Sequence, residues 1–444
     1  MYVLQLIVTN NIYNTQRPFL DPDLYTFKCN AFFLDHQYIL TINEVANARS
    51  IVGRIPTIGY FDLKIEVVSI CDKIALCKII DTTIVKEKID NNSFKISDSL
   101  YLKLSENVII MGYTQYGNVN TNVCHIVDIT SNLFLIDKKL PSCIGSPVMN
   151  YCNEIVGMLI SEDCMISSRF ILNVLDQLKN NYGILKLPDL GITWSNTTPY
   201  LTNYLCKSDQ IYGIRICDIY SNGFLNKLKT NDIITHIQFI DIYNNKITAY
   251  IDRHGESLLY KTNESVLPTA PPEIESPIIS RHIKWIELFS LIPLNSTINL
   301  QICRNGKWYR LKTEYTRGTY YEIEYIYPKI TRQKYHIMAG ICFSPLILNN
   351  IKLGNNYEIY IRNKYEPRIN MLTIFPNTYV YNSQIFTDGD ILESINDIKI
   401  RTLEDFNLIK NSDLYKFESI DKKLIILSSA MVTYDDTELS KVFN

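Results

Sequence analysis

Short runs of alternating apolar and polar residues fill the chain from its start to about residue 160. Tyr2–Val8, Asn30–Leu34, Tyr38–Ile42, Leu63–Ile70, Ile74–Ile79, Val108–Gly112 and Ile155–Ile160 are such runs, separated by turn-forming residues at roughly even spacing. That is the strand pattern of a sandwich or barrel. Helical spacing first becomes convincing at Ile171–Lys179, where Leu172, Leu175 and Leu178 recur three apart. A short helix closing a β domain is predicted there, with Gly183–Asp189 as a linker.

One phrase then occurs twice. Lys229-Thr-Asn-Asp-Ile-Ile-Thr-His-Ile-Gln238 and Thr387-Asp-Gly-Asp-Ile-Leu-Glu-Ser-Ile-Asn396 both give a turn, an Asp and alternating apolar residues. Asn231 and Gly389 share the turn position, and both residue types tolerate positive φ. Two related domains are predicted. Ser265–Pro277 is Pro-rich and acidic and reads as an extended surface insertion in the first copy, near residues 249–280.

Composition narrows the function classes. Of 444 residues, 46% are hydrophobic and 20% charged, so the chain can bury several cores. Lys+Arg total 44 and Asp+Glu 46; this balance supplies no global basic field, and general nucleic-acid binding is not expected. No apolar run is long enough to span a bilayer. The N-terminus lacks a basic region followed by a long apolar one and reads as a strand, which predicts a cytoplasmic protein without a signal peptide. The 11 cysteines are odd in number and form no CxxC pair, so reduced, mostly buried thiols are expected. The 6 histidines are dispersed, with no metal-ligand spacing; neither a metal nor a cofactor is predicted. Abundant Tyr, Ile and Asn suggest an AT-rich genome, such as that of a giant virus, where a virion or virus-factory location would follow.

The most informative segment is Ile136-Asp-Lys-Lys-Leu-Pro-Ser-Cys-Ile-Gly-Ser-Pro-Val148, followed by Asn153-Glu-Ile-Val-Gly-Met158. It resembles the nucleophile region of the trypsin-like serine proteases of the HtrA/Deg family. The resemblance is aligned on Pro141, Gly145, Ser146 and Pro147. In that family a tight turn exposes the serine and aims backbone N–H groups at an oxyanion. The nucleophile position here is Ile144, which has no oxygen to attack a carbonyl. Ser142 stands where the family has the oxyanion-hole Gly and Cys143 where it has Asn, leaving a vestigial turn of Ser142, Cys143 and Gly145.

Two further segments carry the resemblance. Phe32-Phe-Leu-Asp-His-Gln-Tyr-Ile-Leu-Thr-Ile-Asn-Glu-Val45 is similar to the stretch that bears the general base, and its base position is Glu44. Val67-Val-Ser-Ile-Cys-Asp-Lys-Ile-Ala-Leu-Cys-Lys78 is similar to the stretch that bears the orienting Asp, and that position is Lys73. Asp72 is one residue off, which in a strand points to the opposite face. Glu44 and Lys73 are opposite in sign and are expected to pair. Downstream, Asp252-Arg-His-Gly-Glu256, Leu300–Lys307, His336–Leu346 and Leu424–Ala430 resemble, in order, parts of the plant Deg proteins with two PDZ domains.

The resemblance implies a mainly β chain: a chymotrypsin-like double β-barrel (1–185), then two PDZ-like α+β domains (186–318 and 319–444). It further implies a catalytically inactive pseudoprotease acting as a protein-binding, scaffold or assembly protein, with protein or peptide partners and a homo-oligomeric state. The alternative is an endopeptidase with a rewired nucleophile, Cys143 or Ser142; His36 and His125 exist, but a nucleophile needs its base within hydrogen-bond reach. PDZ domains bind extended peptides by strand addition beside a Gly-containing loop. The peptide-binding candidates are Tyr212, Gly213, Ile214 and Arg215 in the first copy, and Gly340 and Ile341 in the second.

Overall fold

The computed structural model describes residues 3–57, 59–88, 95–130, 132–208, 211–219, 223–261, 277–278, 282–317, 323–351 and 366–443. The insertion expected at Ser265–Pro277 lies, except for Pro277, outside the described residues. The fold is mainly β, with two antiparallel barrels followed by two further sheets. By packing, the chain forms two compact units, one of Met1–Asn10 with Thr26–Thr319, the other of Asn11–Tyr25 with Tyr320–Asn444.

Barrel one is built from β1 (Val3–Ile12), β2 (Asp23–Phe33), β3 (Tyr38–Ile42), β4 (Ala48–Ile55), β5 (Gly59–Cys71) and β6 (Ile74–Ile79). Its order is β5-β4-β1-β2-β3-β6, and β5 pairs β6 to close the ring. Barrel two closes β7 (Asn107–Tyr113), β8 (Val119–Ile129), β9 (Leu133–Ile136), β10 (Pro147–Met149), β11 (Ile155–Leu159) and β12 (Cys164–Ser167). This is the chymotrypsin-like double barrel. Its second core holds Val108, Ile110, Ile126, Phe134, Val148, Val156 and Met165. In β7 and β9 the buried residues alternate with less buried ones, as the two-residue period requires.

The predicted helix forms at Ser168–Asn180. Ser167 caps it by accepting from the Phe170 N–H at 3.1 Å. Phe170, Ile171, Val174 and Leu178 are buried on one face. The expected linker at Gly183–Asp189 instead starts with β13 (Gly183–Ile184), which pairs β5 in parallel and donates Leu185 N–H to Ile70 O at 2.7 Å. Unpaired strand edges attract nearby backbone, and the segment satisfies β5 there.

The third sheet contains β14 (Ile192–Asn196), β15 (Ile214–Ile219), β16 (Ile233–Ile240), β17 (Lys246–Ile251), β18 (Glu256–Lys261), β19 (Ile283–Lys284), β20 (Thr297–Arg304) and β21 (Lys307–Glu314). It runs β14-β15-β16-β17-β18-β19, with β20 joining β16 to β21. The fourth contains β22 (His336–Met338), β23 (Ile341–Pro345), β24 (Ile369–Ile374), β25 (Ile391–Ile395), β26 (Ile398–Lys399), β27 (Leu414–Ser419) and β28 (Leu424–Ser428), in the order β22-β23-β24-β25-β27-β28 with β26 beside β25. The repeated phrase builds the same turn in both. Asn231 and Gly389 have φ of 71° and 97°. Asp232 accepts from the Lys229 N–H at 2.7 Å and Asp390 from the Thr387 N–H at 2.8 Å. Each Asp then binds a cation from a later hairpin, Arg304 at 2.6 Å and Lys423 at 2.8 Å. These sheets are consistent with PDZ-like domains.

The third sheet is joined to the barrels through buried groups. Leu100, from the 3₁₀ turn Ser99–Tyr101, packs in the sheet's core beside Ile192, Leu259 and Leu291. Arg169 of the helix contacts Asp98 at 2.6 Å and Asp241, in the β16–β17 turn, at 3.1 Å. All three side chains are less than a tenth exposed. Asp241 also shapes that turn by accepting N–H bonds from Tyr243 and Asn245. Desolvation offsets most of such a triad's attraction, but losing one member strands a buried charge, so it selects one arrangement more than it stabilises.

Two of the 11 cysteines depart from the reduced-thiol expectation: Cys206 and Cys303 form a disulfide tying the helix Pro199–Cys206 to β20. They are separated by 97 residues, so no local spacing announces the pair. Among the described residues, no helix is long and apolar enough to cross a membrane.

His236 in β16 yields a pH prediction. It is buried, its Nδ1 is 2.6 Å from Thr235 Oγ1, and its ring packs on Tyr250. Burial pushes its pKa down from 6.5 to about 4. The folded state therefore holds this imidazole neutral, and its contribution is complete above pH 6.5. Stability should fall as pH drops from 6.5 towards 4, by up to about 3 kcal/mol. Urea unfolding across this range should show the slope, and His236→Gln should flatten it.

Candidate functional site: the Pro141–Gly145 turn and the sheet edges

The segment resembling a nucleophile region folds as a 3₁₀ turn over Pro141–Cys143 followed by Ile144 and Gly145. Gly145 has φ of 85°, and a Cβ there would lie 2.0 Å from the Asn30 carbonyl oxygen, so only glycine fits. Three backbone N–H groups at the turn are engaged. Cys143 N–H donates to Leu140 O at 3.0 Å, Gly145 N–H to Leu159 O at 2.7 Å and Ser146 N–H to Cys143 O at 2.9 Å.

Asn30 holds the turn in place, and the sequence pattern does not single it out. Its side chain is buried on β2. Nδ2 donates to Ser142 O at 2.8 Å, Oδ1 accepts from Tyr113 N–H at 2.8 Å, and its backbone N–H donates to Ile144 O at 2.8 Å. Thr41 Oγ1 donates to its carbonyl at 2.7 Å. One residue of barrel one thus pins both β7 and the turn of barrel two.

The three positions that the resemblance aligns with a triad are placed as follows. Ile144 is half-buried at the end of the 3₁₀ turn. Glu44 lies in the 3₁₀ turn Asn43–Asn47 and is exposed. Lys73, in the β5–β6 turn, is also exposed. The backbones of these two segments meet, Asn43 N–H donating to Lys73 O at 3.0 Å, and Asn10 Nδ2 donates to Glu44 O at 2.7 Å. The expected Glu44–Lys73 ion pair is not formed among the described residues. Both charges are solvated, and an exposed pair gains too little to hold two flexible side chains together.

Neither Cys143 nor Ser142, the two alternative nucleophile candidates, has a hydrogen-bonded base among the described residues. Cys143 is fully buried; its Sγ lies 3.6 Å from Asn120 Nδ2 and 3.9 Å from Ser142 Oγ. Burial pushes its thiol pKa up, only partly opposed by those hydrogen bonds. Ser142 Oγ lies 3.5 Å from Asn120 Nδ2 and 3.9 Å from Cys143 Sγ. His125 lies exposed on β8, and His36 precedes β3; neither is a hydrogen-bond partner of Cys143 or Ser142.

Of the peptide-binding candidates, Ile214, Arg215 and Ile341 lie on interior strands, while Tyr212, Gly213 and Gly340 lie in the loop or turn before them. Ile214 and Arg215 belong to β15, which is paired on both sides, by β14 and by β16. A peptide cannot add to a filled edge. Gly213 serves close strand approach, since a Cβ would sit 2.1 Å from Ile234 O. Arg215 Nε donates to Asn231 Oδ1 at 2.9 Å, and Tyr212 is exposed at the loop. The outer strand at this end of the sheet is β14, preceded by Leu190 and Gly191, with Gly191 at φ 67°. Trp194 of β14 stacks edge-on against Trp285 at 5.1 Å. In the second copy, Gly340 and Ala339 form the two-residue turn joining β22 to β23, with φ of 75° and 56°. Ile341 is on β23, again flanked on both sides, by β22 and β24.

Among the described residues, one group of side chains could hold a metal: Asp252, Glu256 and His282, whose ligand atoms lie within 4.8 Å of one another. The group is partly to fully exposed and rich in carboxylates, and His282 lies 3.7 Å from Asp252 and 3.8 Å from Glu256.

No family model matches the chain, and no curated protein matches it. Solved structures do. An HtrA-type protease, AlgW, with a decapeptide is 13% identical with a TM-score of 0.45, over 70% of this chain and 94% of that one. The serine endoprotease from Yersinia pestis is 14% identical with a TM-score of 0.41, over 71% and 94%.

Asn30→Ala should leave the Tyr113 N–H and Ser142 carbonyl unpaired in a buried place, destabilising the protein by about 2–4 kcal/mol. Urea unfolding measures this; a loss under about 1 kcal/mol would mean that the turn is held by other contacts.

Proposed function

We propose that this chain is a catalytically inactive HtrA-like pseudoprotease that works as a protein-binding, scaffold or assembly protein. One observation carries the reading: the turn that would present a nucleophile keeps its backbone support from Asn30 and Gly145 while presenting Ile144. Attack on a carbonyl needs a nucleophilic atom, a base within reach and free N–H donors. Ile144 lacks the first, and exposed Glu44 and Lys73 are not joined in a relay. Cys143, with its raised pKa and no histidine partner, offers little thiolate for a rewired reaction.

The binding role is supported by the two PDZ-like sheets, and β14 is the strand best placed to accept an extended segment of a protein partner. Assembly into a homo-oligomer belongs to the same reading, which rests on the motif resemblance.

Casein turnover tests the catalytic half. The wild-type chain should give none above a buffer control. The combined Glu44→His, Lys73→Asp, Ile144→Ser variant should also stay largely inactive, because Ser142 and Cys143 still shape the turn. Robust cleavage by the wild type would overturn the reading; cleavage only by the variant would show an oxyanion turn intact apart from its triad.

A further inference from the structure

Three metal-ligating side chains converge at one end of the third sheet. Asp252 follows β17, Glu256 opens β18, and His282 stands one residue before β19. One carboxylate oxygen each from Asp252 and Glu256 and one ring nitrogen of His282 lie within 4.8 Å of one another. His282 is distant from the other two in sequence, so no local spacing announces the set.

The backbone fixes the frame that brings them together. Asp252 N–H donates to Glu256 O at 2.7 Å and closes the β17–β18 turn. Trp285 N–H donates to Gly255 O at 2.9 Å, and Ser257 Oγ donates to Ile283 O at 3.0 Å. Trp285 itself is buried in the core of the sheet. The residues that follow His282 are thereby tied to those on either side of Glu256. Asp252 Oδ1 accepts the N–H groups of His254 at 2.8 Å and Glu256 at 2.9 Å. Its carboxylate is held in one orientation, with Oδ2 as the oxygen nearest His282.

The distances fit an ion between the groups better than direct bonds among them. His282 Nδ1 is 3.7 Å from Asp252 Oδ2 and 3.8 Å from Glu256 Oε2, too long for hydrogen bonds. Zinc binds imidazole nitrogen and carboxylate oxygen at about 2.0–2.2 Å, which places two ligands of a tetrahedral ion about 3.3–3.5 Å apart. The three atoms stand slightly wider than that, and their side chains, between a third and a half exposed, are free to close the gap by small rotations. Among the described residues no lysine or arginine, Lys284 opposite Glu256 included, forms an ion pair with either carboxylate. Two neighbouring negative charges therefore lack a fixed basic partner. The imidazole selects among cations, because calcium and magnesium take oxygen ligands whereas zinc and similar first-row ions take nitrogen.

We propose that Asp252, Glu256 and His282 form a binding site for a divalent transition-metal ion of the zinc class. Three protein ligands leave a further position to water. The ion clamps the β17–β18 turn to the edge strand β19, and the site is independent of the loss of catalysis.

The test titrates the full-length chain, stripped of metal with EDTA, with zinc chloride in an isothermal calorimeter. Zinc also reaches exposed thiols such as Cys152, so the comparison between variants carries the result. His282→Ala and Glu256→Gln should each weaken one zinc equivalent by about tenfold or more, since even an outer-shell change costs that much. Cys152→Ser should retain that equivalent. The altered side chains are partly exposed, and circular dichroism checks that each variant is folded. Calcium chloride at the zinc concentration should not displace the ion. Superimposable zinc titrations for wild type, His282→Ala and Glu256→Gln would overturn the proposal. Displacement by calcium would overturn it as well, by reducing the site to an unselective acidic patch.

Discussion

The bonds around Asn30 are the constraint on which the first unit depends. A buried amide with one donor directed at Ser142 O and one acceptor directed at Tyr113 N–H cannot be replaced by an apolar residue without orphaning both. Because β2 belongs to one barrel and β7 and the turn to the other, these bonds fix the inter-barrel register. Gly145 approaches the same residue so closely that no side chain fits. The turn thus has a structural reason to persist whether or not a nucleophile stands in it. That leaves position 144 open to Ile while Pro141, Gly145, Ser146 and Pro147 keep the motif that resembles the HtrA/Deg nucleophile region.

The same economy of buried polar groups recurs elsewhere. Arg169 bridges Asp98 and Asp241, and so fixes the third sheet against the barrels. Asp232 and Asp390 close equivalent turns and each takes a cation from a later hairpin. Asp435 ties the C-terminal helix to the Tyr379 N–H at the start of the helix Tyr379–Ser383. In each case a carboxylate first satisfies backbone N–H groups or a buried cation that would otherwise be unpaired. The fold is specified by these groups while the apolar strands supply most of the driving force.

Much of this was legible in the sequence, and the failures are instructive. Alternation revealed β3, β6 and β11, and the Lys229 and Thr387 phrases revealed two equivalent turns, because these signals are local. Asn30 was silent because its partners lie 83 and 112 residues away. The Cys206–Cys303 disulfide was hidden for the same reason. The Gly213 segment drew attention as a peptide loop because a glycine before an alternating strand looks the same whether the strand is interior or at the edge. Only the sheet order distinguishes β15 from β14. Opposite charge at Glu44 and Lys73 suggested a pair, but composition carries no information on whether two side chains turn to water.

Reaction with a fluorophosphonate is the most direct test of the central claim, that the turn is kept for its backbone and not for chemistry. Such a reagent forms a covalent adduct only with an activated hydroxyl, and intact-mass spectrometry reads one adduct per chain. The account predicts an unmodified mass for the wild-type protein after prolonged exposure, with a trypsin-fold protease labelled in parallel. A stoichiometric adduct mapping to Ser142 or Ser146 would contradict it.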